Sequence, residues 1–175
     1  MRKKAIIFID MQLGNFQSPN PVFESDRLID NSKIILDQAR KDGEKIFFIQ
    51  NNGNSGDIDE QGTGGWEIHP RIKPKHDEQI IQKITPDSFY ETELDKKLKQ
   101  ENIETIVILG LQTEYCIDTT VRRAFSLGYK VNLLKDCHST WDSEFLTAKQ
   151  IIHHHNLVLG DFFAVLISMC EFLKE

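Results

Sequence analysis

Three side chains with complementary chemistry stand at the ends of short apolar runs. Residues 4–10 close on Asp10, residues 78–83 close on Lys83, and residues 105–110 lead into Gly110-Leu-Gln-Thr-Glu-Tyr-Cys116. If Thr113 caps a helix there, Cys116 falls in its first turn, where unpaired N–H groups and the positive helix end favour a thiolate over a thiol. The same N–H groups can hold an oxyanion. The competing reading of Cys116 is a small apolar residue that packs helix on sheet. Asp10, at the edge of an apolar strand, reads either as a cap for the next turn or as a general base whose proton affinity rises on desolvation. Lys83 alone is a solvated lysine. Beside Asp10 and Cys116 it is a fixed cation that steadies the carboxylate and lowers the pKa of the thiol.

A parallel sheet is what must position them. Short apolar runs alternate with amphipathic stretches, as in an α/β fold. Strands are expected over residues 4–10, 45–50, 78–83, 105–110, 130–135 and 163–166. Ser25 can cap a helix that buries Leu28, Ile35, Leu36 and Ala39 and stops at Gly43. Ser88 and Glu91 fit a capping box for a helix reaching about Gln100, and Ser168 with Glu171 fits another before the C-terminal helix. Helical spacing of Ile117, Val121, Ala124 and Gly128 follows Thr113, and a further helix is expected over residues 143–155. In such a six-strand, doubly wound sheet, ligands sit beyond the carboxyl ends of the strands. That singles out Asp10, Gln50, Lys83, residues 111–116 and residues 136–140.

Residues 51–74 lose periodicity, and a loop this long in a compact domain is usually functional. Its Trp66 and His69 read equally as a loop plug or as a pocket wall. His153-His-His155 reads as a complement to a helix C-terminus rather than a metal site, because consecutive residues point in different directions. Cys137 reads as packing near the sheet edge, and Cys170 as a core residue of the last helix.

Composition removes several classes. With 175 residues the chain is expected to form one domain, residues 1–175. Hydrophobic residues at 39% and charged residues at 27% exclude a disordered chain and a membrane bundle. Twenty-one Lys and Arg against 27 Asp and Glu leave −6, which repels nucleic acid and anionic lipid, and the only basic clusters are Arg2-Lys3-Lys4 and the scattered Lys96, Lys97 and Lys99. The apolar stretch behind Lys4 is too short for a signal peptide, so a cytoplasmic location is expected. Three cysteines without a C-x-x-C pair argue against a disulfide framework or zinc knuckle. There is no P-loop, Gly62-Thr-Gly64 lacks the last glycine of a dinucleotide fingerprint, and Gln12 stands where an aspartyl-phosphate enzyme would want a second acid.

Taken in order, Phe8-Ile-Asp10-Met-Gln12, Gly64-Gly-Trp-Glu-Ile-His-Pro70, Lys83 followed by Ser88-Phe, Gly110-Leu-Gln-Thr-Glu-Tyr-Cys116 and Asp136-Cys-His-Ser-Thr140 resemble the isochorismatase-like cysteine hydrolase family. The resemblance implies a three-layer α/β/α sandwich around a mainly parallel sheet. It puts an Asp-Lys-Cys triad on Asp10, Lys83 and Cys116, a cis peptide before Gln112, and an oxyanion hole on the N–H groups of Gln112 and Cys116. It implies a pocket walled by Phe16, Trp66, Phe89 and Tyr115, with Gln50 and His69 nearby, a small-molecule substrate, and a homo-oligomer (dimer or tetramer). Nicotinamidases of this family carry a D-x-H…H metal set after the second strand; here no His precedes His69, so no metal or other cofactor is expected. The Gly-Trp-x-x-His-Pro loop resembles the branch that includes streptothricin-hydrolase-like proteins. The implied reaction is hydrolysis of a small amide-type C–N bond through a Cys116 thioester. The alternatives are vinyl-ether cleavage of the isochorismatase type, which does not need the thiol, and a binding module on the same fold.

Overall fold

A computed structural model describes residues 3–17 and 19–174 of the chain; Arg2 of the basic start lies outside them. Six strands form one sheet: β1 (Lys4–Ile9), β2 (Lys45–Asn51), β3 (Gln79–Lys83), β4 (Thr105–Leu111), β5 (Lys130–Ser139) and β6 (Val165–Ile167). Their order is β3-β2-β1-β4-β5-β6, and every pairing is parallel. The order reverses beside β1, the switch point at which ligands bind in such sheets.

Helices cover both faces: α1 (Ser25–Lys41), α2 (Leu94–Gln100), α3 (Asp118–Ser126), α4 (Ala148–Phe162) and α5 (Met169–Phe172). Alternation along the strands divides the core in two. Ala5, Ile7, Ile9, Phe47, Ile49 and Ile81 point toward α2, α3 and α4, where they meet Leu98, Val121 and Leu159. Ile6, Phe8, Ile46 and Phe48 point toward α1 and α5, where they meet Ile35, Leu36 and Phe172. This is the expected three-layer α/β/α architecture. Gly110 lets β4 lie against β1: its φ is +123°, and a Cβ there would sit 2.1 Å from the Ile9 carbonyl oxygen.

Several boundaries differ from the sequence expectation, each for a local reason. Ser25 is the first residue of α1 rather than its cap, and Glu24 occupies the cap position in a left-handed conformation. Ser88 does not open a helix; its hydroxyl instead meets Thr120 Oγ1 on α3 at 2.8 Å. Glu91 then turns left-handed at φ 54°, so α2 begins only at Leu94. The fourth helix starts five residues later than expected, at Ala148, where Thr147 and Gln150 form a capping box. The Ser168–Glu171 box is present as expected. β5 runs on through Ser139 after a register shift against β4, so residues 136–139 are strand rather than loop. β6 starts two residues later than expected, at Val165.

Cys137 is buried in the core, whereas Cys170 is exposed, contrary to its expected place in the core. His153–His155 fall inside α4 rather than at its end. Among the described residues no group of His, Cys, Asp or Glu is arranged to hold a metal ion. No described helix is long and apolar enough to cross a membrane.

Candidate active site

Asp10 follows β1 with φ 50°, a left-handed conformation that Asp tolerates better than bulkier residues. Its backbone is fixed on both sides: Asp10 N donates to the Ile49 carbonyl at 3.0 Å, and Asn15 Nδ2 donates to the Asp10 carbonyl at 2.8 Å. Two neighbouring segments therefore hold the turn that carries the carboxylate. Lys83 closes β3 on the same face as Ile81, so its stem lies against the core toward α2–α4. Cys116 comes from a π turn, Thr113–Ile117, held by Tyr115 N and Ile117 N donating to the Gln112 carbonyl at 3.1 Å each. Single π turns recur at functional sites. Gln112, not Thr113, takes the cap position, and the Leu111–Gln112 peptide is cis as the resemblance implied.

These three elements bring the three side chains together. Lys83 Nζ lies 2.8 Å from Asp10 Oδ2 and 3.3 Å from Cys116 Sγ. Its third proton goes to Asn51 Oδ1 at 3.3 Å. An ammonium has three donors, so Lys83 is saturated and works as a fixed cation. The Lys83 side chain is 0% exposed and that of Asp10 8%. Asp10 Oδ1 is buried with no hydrogen-bond partner, an acceptor left over at the site.

Burial sets the proton affinities. It pushes the Asp10 carboxyl up from its ordinary value, against the downward pull of Lys83. Burial opposes the charge on Lys83, but Asp10 and Cys116 outweigh it and hold the ammonium above its ordinary value. The Cys116 thiol is pushed up to about 12 by burial and by Asp10, with Lys83 pulling the other way. The expected low-pKa thiol is thus corrected: desolvation and the adjacent acid outweigh the nearby cation, and the thiol rests neutral. Such a thiol attacks only when a base takes its proton.

The oxyanion candidates sit in a braced loop. Gln112 Nε2 donates to Glu114 Oε1 at 2.9 Å and to Thr140 Oγ1 at 3.1 Å. Thr113 Oγ1 meets His138 Nδ1 at 2.8 Å, and His138 Nε2 meets Asn156 Oδ1 of α4 at 3.0 Å. Burial pulls His138 down to about 4, so it is neutral and structural.

The residues expected to wall the pocket lie on both faces of the sheet. Gln50 pairs with Gln82 across β2 and β3, on the alternate face from Lys83. With Trp66, Ile68, Ile80 and Gln82 it lines a groove of about 830 Å³ on the α1 side. Phe16 packs on the same core and meets the His69 ring edge-on, with centroids 5.1 Å apart. His69 Nδ1 accepts from Arg71 N and caps a short turn, and burial lowers its pKa. Phe89 lies in the core against Tyr129, with ring centroids 6.0 Å apart. Tyr115 is exposed and next to Cys116 in the chain. The loop is held inward by its backbone: the Trp66 carbonyl accepts from Gln12 Nε2 and Gln50 Nε2, both at 3.0 Å. Sequence reasoning missed Asn51. Strand parity could have found it, since Asn51 and not Gln50 lies opposite Lys83.

Residues 4–160 match the isochorismatase domain family. The chain belongs to the isochorismatase family. It is 31% identical over 139 residues to streptothricin hydrolase of Streptomyces noursei, covering 79% of this chain and 50% of that protein. It is 28% identical to the isochorismatase family protein YddQ of Bacillus subtilis, over 97% of this chain and 98% of the relative. The chain thus spans about half the length of the streptothricin hydrolase and nearly all of YddQ. Among solved structures, a putative isochorismatase hydrolase from Oleispira antarctica superposes with a TM-score of 0.93 at 26% identity, covering 99% of this chain and 97% of the other.

Proposed function

We propose that this isochorismatase-family protein is a cysteine hydrolase of a small amide-type C–N bond, with Cys116 as nucleophile, Asp10 as general base and acid, and Lys83 as the fixed cation. The observation that carries this reading is the buried ammonium 2.8 Å from one carboxylate oxygen and 3.3 Å from the thiol sulfur, with the second carboxylate oxygen unpartnered. The neighbouring acceptor takes the thiol proton as sulfur attacks the carbonyl carbon. The N–H groups of Gln112 and Cys116 hold the developing oxyanion. Asp10 then gives its proton to the departing nitrogen as the C–N bond breaks, leaving a thioester. Asp10 next deprotonates water, which attacks the thioester; the acid leaves and the thiol is restored. The streptothricin hydrolase likeness supports hydrolysis.

The test is acylation of Cys116. Enzyme is mixed with p-nitrophenyl acetate, then with a panel of small primary amides, quenched in acid and mapped by mass spectrometry. An acyl group on Cys116, and no turnover by Cys116→Ala, is the expected result. Turnover retained by Cys116→Ala would overturn Cys116 as the nucleophile, and no acylation by any probe would point to thiol-independent ether chemistry or to a binding module.

A further inference from the structure

Asn51 ends β2 beside the buried ammonium and takes no part in the steps above. Its side chain is held at both ends. Oδ1 accepts from Lys83 Nζ at 3.3 Å, and Nδ2 donates to Asp59 Oδ2 at 2.7 Å. Gln12 clamps its backbone, accepting from Asn51 N at 2.8 Å and donating to the Asn51 carbonyl at 2.9 Å. Asp59 is itself fixed. Its carbonyl accepts from Gly53 N at 3.1 Å, and a Cβ on Gly53 would fall 2.2 Å from Asp59 Oδ1. Only glycine at position 53 lets the carboxylate come this close.

An amide can present either its oxygen or its nitrogen, whereas a carboxylate only accepts. Lys83 can only donate and Asp59 can only accept, so the two hold opposite ends of the same amide, its oxygen on the ammonium and its nitrogen on Asp59. We propose that Asp59, acting through Asn51, is a positioning residue of the Asp10–Lys83–Cys116 site, orienting the amide so that its oxygen completes the acceptor set of the ammonium and placing a second negative charge behind Asp10. The consequence for catalysis rests on the reading of Asp10 as the base; the arrangement itself does not.

Among the described residues, Lys83 from β3, Cys116 from the π turn and Asp59 from the loop after β2 act on Asp10. Lys83 and the thiol favour the carboxylate, while Asp59 repels it and raises its proton affinity. A base facing a thiol as weakly acidic as Cys116 gains from that repulsion, because it narrows the gap the proton must cross.

The experiment is a carboxyl ¹³C NMR titration of Asp10 in the full chain, assigned with Asp10→Asn and run on wild type, Asp59→Asn and Asp59→Glu. Deleting the charge should move the Asp10 midpoint to lower pH by about half a unit, a roughly threefold loss of proton affinity. Asp59→Glu should return it toward wild type. A merely structural loop residue would leave the midpoint in place once the protein is folded, and a folded Asp59→Asn protein with an unmoved midpoint overturns the proposal. If Asp59→Asn does not fold, Asp59→Ser deletes the same charge with a smaller side chain and is read in the same way. The hydrolase reading fails separately, on the acylation of Cys116, whatever the midpoint does.

Discussion

The molecule contains two cysteines next to an aspartate at the carboxyl end of its sheet, and they differ instructively. Cys116 sits partly open in the π turn beside Asp10. Cys137 is fully buried on β5, with its sulfur 3.6 Å from Asp136 Oδ1. Burial and a neighbouring carboxylate push both thiols up. The carboxylates diverge in what else they do. Asp136 is spent on the first turn of α5, accepting from Met169 N at 2.9 and 3.2 Å through its two oxygens. Asp10 keeps Oδ1 unpartnered and has a buried ammonium across its other oxygen. A thiol next to an acid is therefore not by itself a nucleophile site. The cation, the spare acceptor and an opening to solvent make the difference, and only the Cys116 corner has all three.

The comparison breaks most easily at the sulfur atoms. Cys116→Ala should lower turnover of any amide substrate at least about a thousandfold, while Cys137→Ala should change it by less than about twofold. Steady-state kinetics on the two variants decides this, and equal losses would erase the distinction.

The next largest effect concerns the cation. Lys83→Met leaves the buried Asp10 carboxylate uncompensated, which should cost about 3–5 kcal/mol of unfolding free energy by urea titration near neutral pH. Adding Asp10→Asn to Lys83→Met should recover part of that loss. A single variant that unfolds like wild type would mean that solvent reaches the pair.

A pH effect sharpens the contrast between the buried groups of the proposed site and those that only build. His138 is held at about 4, below its ordinary value. The unfolded chain binds the proton more readily than the native state, so stability falls as pH drops from about 6.5 toward 4. Between pH 7 and pH 5 this group should cost roughly 2 kcal/mol. His138→Asn should remove that share of the acid loss, seen as a smaller drop in Tm between the two pH values. An unchanged drop would mean His138 titrates normally. Raised Asp10 has the opposite sign: the native state holds its proton more tightly, so its contribution falls as pH rises through the carboxyl range.

The smallest effect is at Asp136. Replacing it with Ala removes the acceptor for Met169 N and should cost about 1 kcal/mol, the usual scale for a lost helix cap, with turnover intact. A large loss of activity would show that the Cys137 corner communicates with the site.

Much of the site was readable from residue types. Asp10, Lys83 and Cys116 stand out because apolar runs end on or lead into them, and hydrophobic periodicity is a local property of the chain. The walls were not readable in the same way. Gln50 is next to Asn51 in the chain but faces the α1 side, because one step along a strand reverses the side chain. Asn51, the correct neighbour, lies one residue on. The helix expected from Ser88 failed for a similar reason, since the Ser88 hydroxyl is claimed by Thr120, distant in sequence.

The sequence by itself determined the order of strands and helices, the two alternating apolar faces and the three reactive groups, since each follows from local spacing and side-chain chemistry. The tertiary structure alone decided which face of the sheet each strand-end residue joins, and that Cys116 rests as a neutral thiol. Both depend on register and desolvation, which arise only when segments far apart in the chain pack together and exclude water.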